Sequence, residues 1–224
     1  MCKRPCFHDA YLAAFNRPNV KLLDPAGKGA ERITESGIVV AGVEYPVDCI
    51  VYASGFEVGT TLKSRLGFEI HGRGGLGLAE TWMEQGASTL HGITASRFPN
   101  MVLFNMTQGG FAINFVHMLW ELAEHGAWLI SRCLEEGIEQ IEPSPEAEEA
   151  WFQRLLGNLG SQAMFLAECT PSYLNGEGTR SADLKVLRGI PYFGRTMEYI
   201  QFLRDWRMAG DFPGMQVKRG PKSA

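Results

Sequence analysis

Residues 100–110 read Asn-Met-Val-Leu-Phe-Asn-Met-Thr-Gln-Gly-Gly, and a long stretch with apolar residues at helical spacing follows, to about Glu136. Met101-Val102-Leu103-Phe104 is an uninterrupted apolar run, the pattern of a strand buried on both faces. Asn105 to Gly110 is a loop, and the segment beyond it an amphipathic helix. Strand, glycine loop and helix in that order predict an α/β unit with a ligand-binding geometry. Backbone N–H groups left unpaired at a helix start, with the positive end of its dipole, favour a phosphate or an electron-rich carbonyl oxygen. The same spacing also fits glycines that merely turn the chain.

Toward the amino terminus, residues 57–100 are irregular and glycine-rich and hold Gly72-x-Gly74-x-x-Gly77. A dinucleotide fingerprint opens a helix long enough to cross back over a sheet and meets an acidic strand end about 20 residues on. Here the possible helix, Leu78 to Gln85, meets Gly86 at once, and the sequence near residue 97 is Ser-Arg-Phe-Pro, so the motif is read as a turn. Asp48 to Ala53 is another continuous apolar run, predicted as a buried strand that stops at Ser54-Gly55. Parallel sheets bind ligands beyond such carboxyl ends, which makes Ser54-Gly55-Phe56 a candidate site. Asn19 to Leu23 predicts a short strand, and Ile38–Val40 with Val43–Tyr45 a hairpin around Ala41-Gly42.

Toward the carboxyl terminus the chain reads as mainly helical. Ser144-Pro145-Glu146 is an N-cap, a proline at the first helical position and an acidic first turn, opening a helix to roughly Glu168. A loop spans Cys169 to Gly178, and Thr196 is predicted to cap a final helix through Met208. Trp120, Trp128, Trp151 and Trp206 fall within these helices and are read as core.

The composition bounds the function. The 224 residues carry 21 Lys+Arg, 25 Asp+Glu and 45% hydrophobic residues, fitting a globular protein and arguing against a nucleic-acid or anionic-membrane surface. No apolar run approaches the ~20 residues that span a bilayer. The amino-terminal residues lack the apolar stretch of a secretory signal, so the expected compartment is the cytoplasm. Five cysteines, an odd number, predict reduced thiols. Cys2, Cys6 and His8 lack a fourth ligand at finger-like spacing, so no metal is expected. Ser54 lacks the flanking glycines of a nucleophile elbow. His117 and His125 lie eight apart on one helical face without a metal-binding motif; His117 is the one placed near the glycine loop, and His125 is read as structural or surface.

Three stretches together resemble a known family. Cys2-Lys3-Arg4-Pro5-Cys6-Phe7-His8-Asp9 with Tyr11, Phe15-Asn16-Arg17-Pro18-Asn19-Val20, and Asp48 through Glu57 are similar, in order and spacing, to the second half of flavin-dependent Baeyer–Villiger monooxygenases and their flavin-containing monooxygenase relatives. Phe98-Pro99-Asn100, Gln108-Gly109-Gly110, Glu124-His125-Gly126-Ala127-Trp128 and the Cys169–Gly178 loop resemble the family's carboxyl-terminal portion. The resemblance implies an α/β fold: part of a flavoprotein with two dinucleotide-binding domains, having an incomplete FAD-domain sheet followed by a mainly helical region. It implies residues 1–47 as the end of the NADPH domain with linker and hairpin, 48–136 as the carboxyl-terminal part of the FAD domain, and 137–224 as a helical cover with a substrate-side loop. Cofactor-binding residues would be Ser54, Gly55, Phe56, Gln108, Gly109, Gly110, Asn114 and His117, with Ser54 standing where the family has threonine. Thr170, Tyr173 and Asn175 would belong to a mobile substrate and nicotinamide loop that closes the site against water.

The departures from the family pattern are equally definite. Both dinucleotide fingerprints, the F-x-G-x-x-x-H signature and the catalytic arginine lie upstream in the family and are absent from this sequence, so no catalytic residue is assigned. The resemblance therefore implies a carboxyl-terminal fragment of an FAD- and NADPH-dependent monooxygenase that acts on a ketone or sulfide with O₂ through a peroxyflavin. Such a fragment is expected to be inactive without the missing amino-terminal half or a partner chain that supplies it. Two alternatives are a non-catalytic binding or regulatory half-domain, including one half of a split flavoenzyme, and a small oxidoreductase using the Gly72–Gly77 loop.

Overall fold

The computed structural model describes residues 6–25, 27–53, 62–112, 114–160 and 184–221, and divides the chain into two units, residues 3–57 and 58–224. In the first unit a one-turn helix α1 (Tyr11–Ala14) precedes a three-stranded antiparallel sheet of β1 (Arg32–Ile33), β2 (Gly37–Val40) and β3 (Val43–Pro46). Val40 pairs with Val43 across Ala41 and Gly42, both at positive φ (50° and 74°), so the predicted hairpin closes through a turn whose twist matches its strands. The Thr34 and Ser36 hydroxyls donate to Glu44 Oε1 and hold its carboxyl below the usual range.

Two strand expectations in this unit are corrected. Residues 19–23 form a turn followed by irregular chain, and residues 48–53 are irregular, with Val51 83% and Tyr52 75% exposed. An apolar run becomes a strand only where neighbours accept its N–H and C=O groups, and no described residue pairs with 48–53.

The second unit runs α2 (Leu62–Leu66), a 3₁₀ turn (Arg73–Gly75), α3 (Leu78–Gln85), α4 (Phe115–Glu135), β4 (Ile138–Pro143), α5 (Pro145–Gly157), α6 (Leu184–Leu187), α7 (Thr196–Ala209) and β5 (Met215–Arg219). The predicted α3 is confirmed at both ends, and α4 ends within one residue of the expected Glu136. Met101–Phe104 is extended but unpaired in any sheet: Leu103 N–H donates to the Ile93 carbonyl, and the segment leans on α4 at Gly126, where an added Cβ would lie 3.1 Å from Val102. Ser144 Oγ accepts from Ala147 N–H and Pro145 occupies the first turn, as its sequence predicts, but α5 stops at Gly157, short of Glu168; residues 161–183 lie outside the described residues. Thr196 is the first residue of α7 rather than its cap, and its hydroxyl donates to the Phe111 carbonyl.

β4 and β5 form an antiparallel pair, Ile141 opposite Val217 and Pro143 opposite Met215, that the sequence did not announce. Each strand is stable only because the other supplies its hydrogen bonds. Three apolar clusters fill the unit: Leu90, Ile93, Met118, Leu122, Leu155, Tyr199 and Leu203 among the first, Leu129, Ile138, Ile141, Trp206 and Phe212 as the second, and Leu78, Ala95 and Phe98 as the third. Each fully buried leucine or phenylalanine contributes roughly 1.5–3 kcal/mol. Trp151 and Trp206 are core and Trp128 is half-buried, but Trp120 is 65% exposed, contrary to its reading as core. Among the described residues no helix is long and apolar enough to cross a membrane.

Candidate functional site

The loop at residues 105–110 is organised by one side chain turned inward. Gln108 is fully buried at φ 57°; its Oε1 accepts from Thr89 N–H (2.8 Å) and Thr89 Oγ1 (2.7 Å), and its Nε2 donates to the Ala87 and Arg188 carbonyls (3.0 and 2.8 Å). Its backbone N–H donates to Ile190, and its carbonyl accepts from Trp151 Nε1. Every polar group of the amide is thus used within the protein, which satisfies otherwise costly buried groups and holds the loop in one shape.

The glycines serve close approach. An added Cβ on Gly92 would lie 2.5 Å from Gly109 Cα, and one on Gly110 2.5 Å from the Tyr199 ring. Gly109 accepts from Tyr192 N–H, and the Tyr199 hydroxyl, whose pKa burial raises, donates to the His91 carbonyl. The loop is therefore fastened from behind by residues 87–92, 188–192 and 199.

Its continuation opens α4. Asn114 is exposed and caps the helix, its side chain accepting from His117 N–H (3.2 Å). His117 is half exposed, with Nε2 3.9 Å from Glu121 Oε1; Glu121 is buried and accepts from Arg204 Nη2 at 3.1 Å. A helix start with exposed Asn114 and His117 suits an electron-rich edge of a planar group or an anion. It supplies no nucleophile and base in hydrogen-bond reach.

Of the candidate residues, Gln108, Gly109, Gly110, Asn114 and His117 thus lie along one continuous segment, whereas Ser54, Gly55, Phe56, Thr170, Tyr173 and Asn175 lie outside the described residues. The supports Thr89, His91, Gly92 and Tyr199 carry no local sequence signal, since their roles arise from contacts with residues distant in the chain, as far as 108 positions for Tyr199 and His91. His125, read as structural or surface, is buried. The Gly72–Gly77 motif has a packing role: a Cβ on Gly72 would lie 2.4 Å from the Arg97 carbonyl, and Arg73 donates to the buried Glu142.

No family profile matches the chain. Its sequence is 43% identical to pentalenolactone D synthase of Streptomyces arenae, over 97% of this chain and 37% of that protein. Baeyer-Villiger monooxygenase 4 of Dietzia sp. is 41% identical over 96% of this chain and 34% of its own length. The solved polycyclic ketone monooxygenase of Thermothelomyces thermophila superposes with a TM-score of 0.85 at 35% identity, covering 97% of this chain and 35% of that one. The chain spans about a third of the length of these proteins. The fold and the sequence are those of a flavoprotein monooxygenase portion. Specifically, the chain has the sequence and fold of the carboxyl-terminal portion of the Baeyer–Villiger monooxygenases.

Proposed function

We propose that this chain forms the carboxyl-terminal part of the FAD domain and the helical substrate-side cover of an NADPH-dependent Baeyer–Villiger monooxygenase of the cytoplasm, acting on a ketone or sulfide with O₂. The observation that carries this reading is the superposition over 97% of the chain at a TM-score of 0.85, in which the 105–117 segment combines a locked back with an exposed front. Bound FAD, reduced by NADPH, would supply the oxygen-activating chemistry. Gln108 would keep the Gly109-Gly110 turn rigid, and Asn114 and His117 at the start of α4 would orient an electron-rich edge of the flavin through hydrogen bonds and the helix dipole. Ser54-Gly55-Phe56 would line the same cofactor, and the Thr170, Tyr173 and Asn175 loop would exclude water from it. In this assignment residues 1–47 end the NADPH domain, 48–136 complete the FAD domain and 137–224 form the cover.

A second feature agrees with a missing layer. α4 buries Met118, Leu122, Gly126 and Leu129, yet its other face exposes Val116, Trp120, Ala123, Ala127, Ile130 and Leu134 at helical spacing. A surface helix with apolar residues on two faces needs cover on both.

The test pairs the chain with a polypeptide carrying both dinucleotide fingerprints of a relative. The chain alone is expected to retain no stoichiometric FAD and to oxidise no NADPH in the presence of ketone, and the pair to gain both. Ketone-dependent turnover by the chain alone would overturn the assignment of a part, and a folded pair that binds no FAD would overturn the assignment of function.

A further inference from the structure

His91 and His125 are enclosed to 3% and 1% exposure, and His91 Nδ1 lies 3.1 Å from His125 Nε2. That bond needs one nitrogen protonated and the other bare. Trp151, Phe202 and Trp206 stand edge-on to His91 at 5.1–5.3 Å, and Trp206 stands edge-on to His125 at 5.1 Å. His125 Nδ1 is buried without a partner. A buried N–H without an acceptor costs more than a bare ring nitrogen, and the Arg207 charge acting on His125 favours a lone pair there. The arrangement therefore assigns the proton: His125 donates through Nε2, and His91 accepts at Nδ1.

The surrounding charges do not welcome a second proton. Arg154 on α5 acts on His91 and Arg207 on α7 on His125. On α4, Glu121 is engaged by Arg204 of α7, and Glu124 acts on Arg207; the Tyr199 phenol is neutral. Burial first, then His125 and after it Arg154, holds His91 well below its ordinary value, and burial followed by Arg207 holds His125 down to about 3.

We propose that this neutral pair is an acid-sensitive latch that pins the 89–94 turn to α4 behind the Gln108–Gly110 loop, and that protonation of either ring releases the turn. The mechanical link is direct. Thr89 bonds Gln108 through both its N–H and its hydroxyl, Gly92 N–H donates to Thr89 Oγ1, and the His91 carbonyl receives the Tyr199 hydroxyl. The inference stands apart from the flavin reading, because none of these groups needs a cofactor.

The sign follows from linkage. Unfolded histidines take up protons below about pH 6.5 while the folded pair stays neutral, so the latch is fully in place above that pH and is lost as pH falls toward 3. Each neutral histidine raises the unfolding constant about tenfold per pH unit across that window.

Ring NMR of the full chain between pH 8 and 4.5 should show two of its five histidines remaining neutral, His125 as the Nε2–H tautomer. In urea unfolding at pH 6 and 5, His125→Gln, which keeps a donor toward His91 without a titrating ring, should flatten the acid dependence by about tenfold per pH unit. Hydrogen-exchange protection at 89–94 and 108–110 should fall with acid before that of α5. Both rings titrating near pH 6.5 in the folded chain, an unchanged acid dependence in the variant, or protection that declines equally in α5 would each overturn the latch. Should the variant not fold, the ring titration and the exchange pattern of the wild type decide.

Discussion

At the scale of single residues, Gln108 shows how a position beside a ligand-facing loop acts through its neighbours. Its amide joins the 87–89, 108 and 188 segments, so Gln108→Leu, close in size but without polar atoms, leaves the Thr89 donors and two carbonyls unpaired. The expected loss is about 4 kcal/mol, read by urea unfolding. Gly110→Ala drives a methyl into the Tyr199 ring, with an expected loss of about 1–3 kcal/mol in the same assay. Ala41 runs the other way: at φ 50° in the hairpin turn it is a strained L-residue, and Ala41→Gly should slow amide exchange at Val39 and Val40.

Among the elements, α4 carries the most information. Its inner face was legible from spacing, because Met118, Leu122 and Leu129 recur at helical intervals and are buried. Its outer face was not: Trp120 looks like core by type, and the apolar stripe around it lies open. Replacing Trp120 and Leu134 together by lysine should reduce self-association and hydrophobic-dye binding of the isolated chain while changing its unfolding free energy by less than about 0.5 kcal/mol, since neither side chain is buried. α5 shows the opposite case, a start set by local chemistry. Ser144→Ala removes the bond to Ala147 N–H and should cost about 1 kcal/mol, seen as a lower denaturation midpoint. The glycine motif at 72–77 precedes a helix of only eight residues, and its first glycine meets backbone rather than open space, so the spacing that resembles a phosphate loop reflects packing.

On the scale of the whole molecule the two units differ in how much they bury. Among the described residues of the first unit only Gly37, Val39 and Val40 are buried, whereas the second holds three apolar clusters. A small sheet with so little interior is marginal. Exchange protection in residues 32–46 should therefore be lost at lower urea than in α4, α5 and α7, giving unfolding in more than one step. Coincident loss of protection in all of these segments would contradict this.

The sequence by itself determined the local devices: the Ala41-Gly42 turn, both ends of α3, the course of α4, the start of α5, and the family resemblance carried by motifs such as Gln108-Gly109-Gly110. Each depends on residues within a few positions of one another, where backbone sterics, capping and periodicity act. Tertiary structure alone decided that Asp48–Ala53 and Met101–Phe104 do not join a sheet, that β4 pairs with β5, that Trp120 faces outward, and that His91 meets His125. Those outcomes depend on which distant partner meets each hydrogen-bonding group and apolar surface, and an apolar run reads the same whether that partner is present or not.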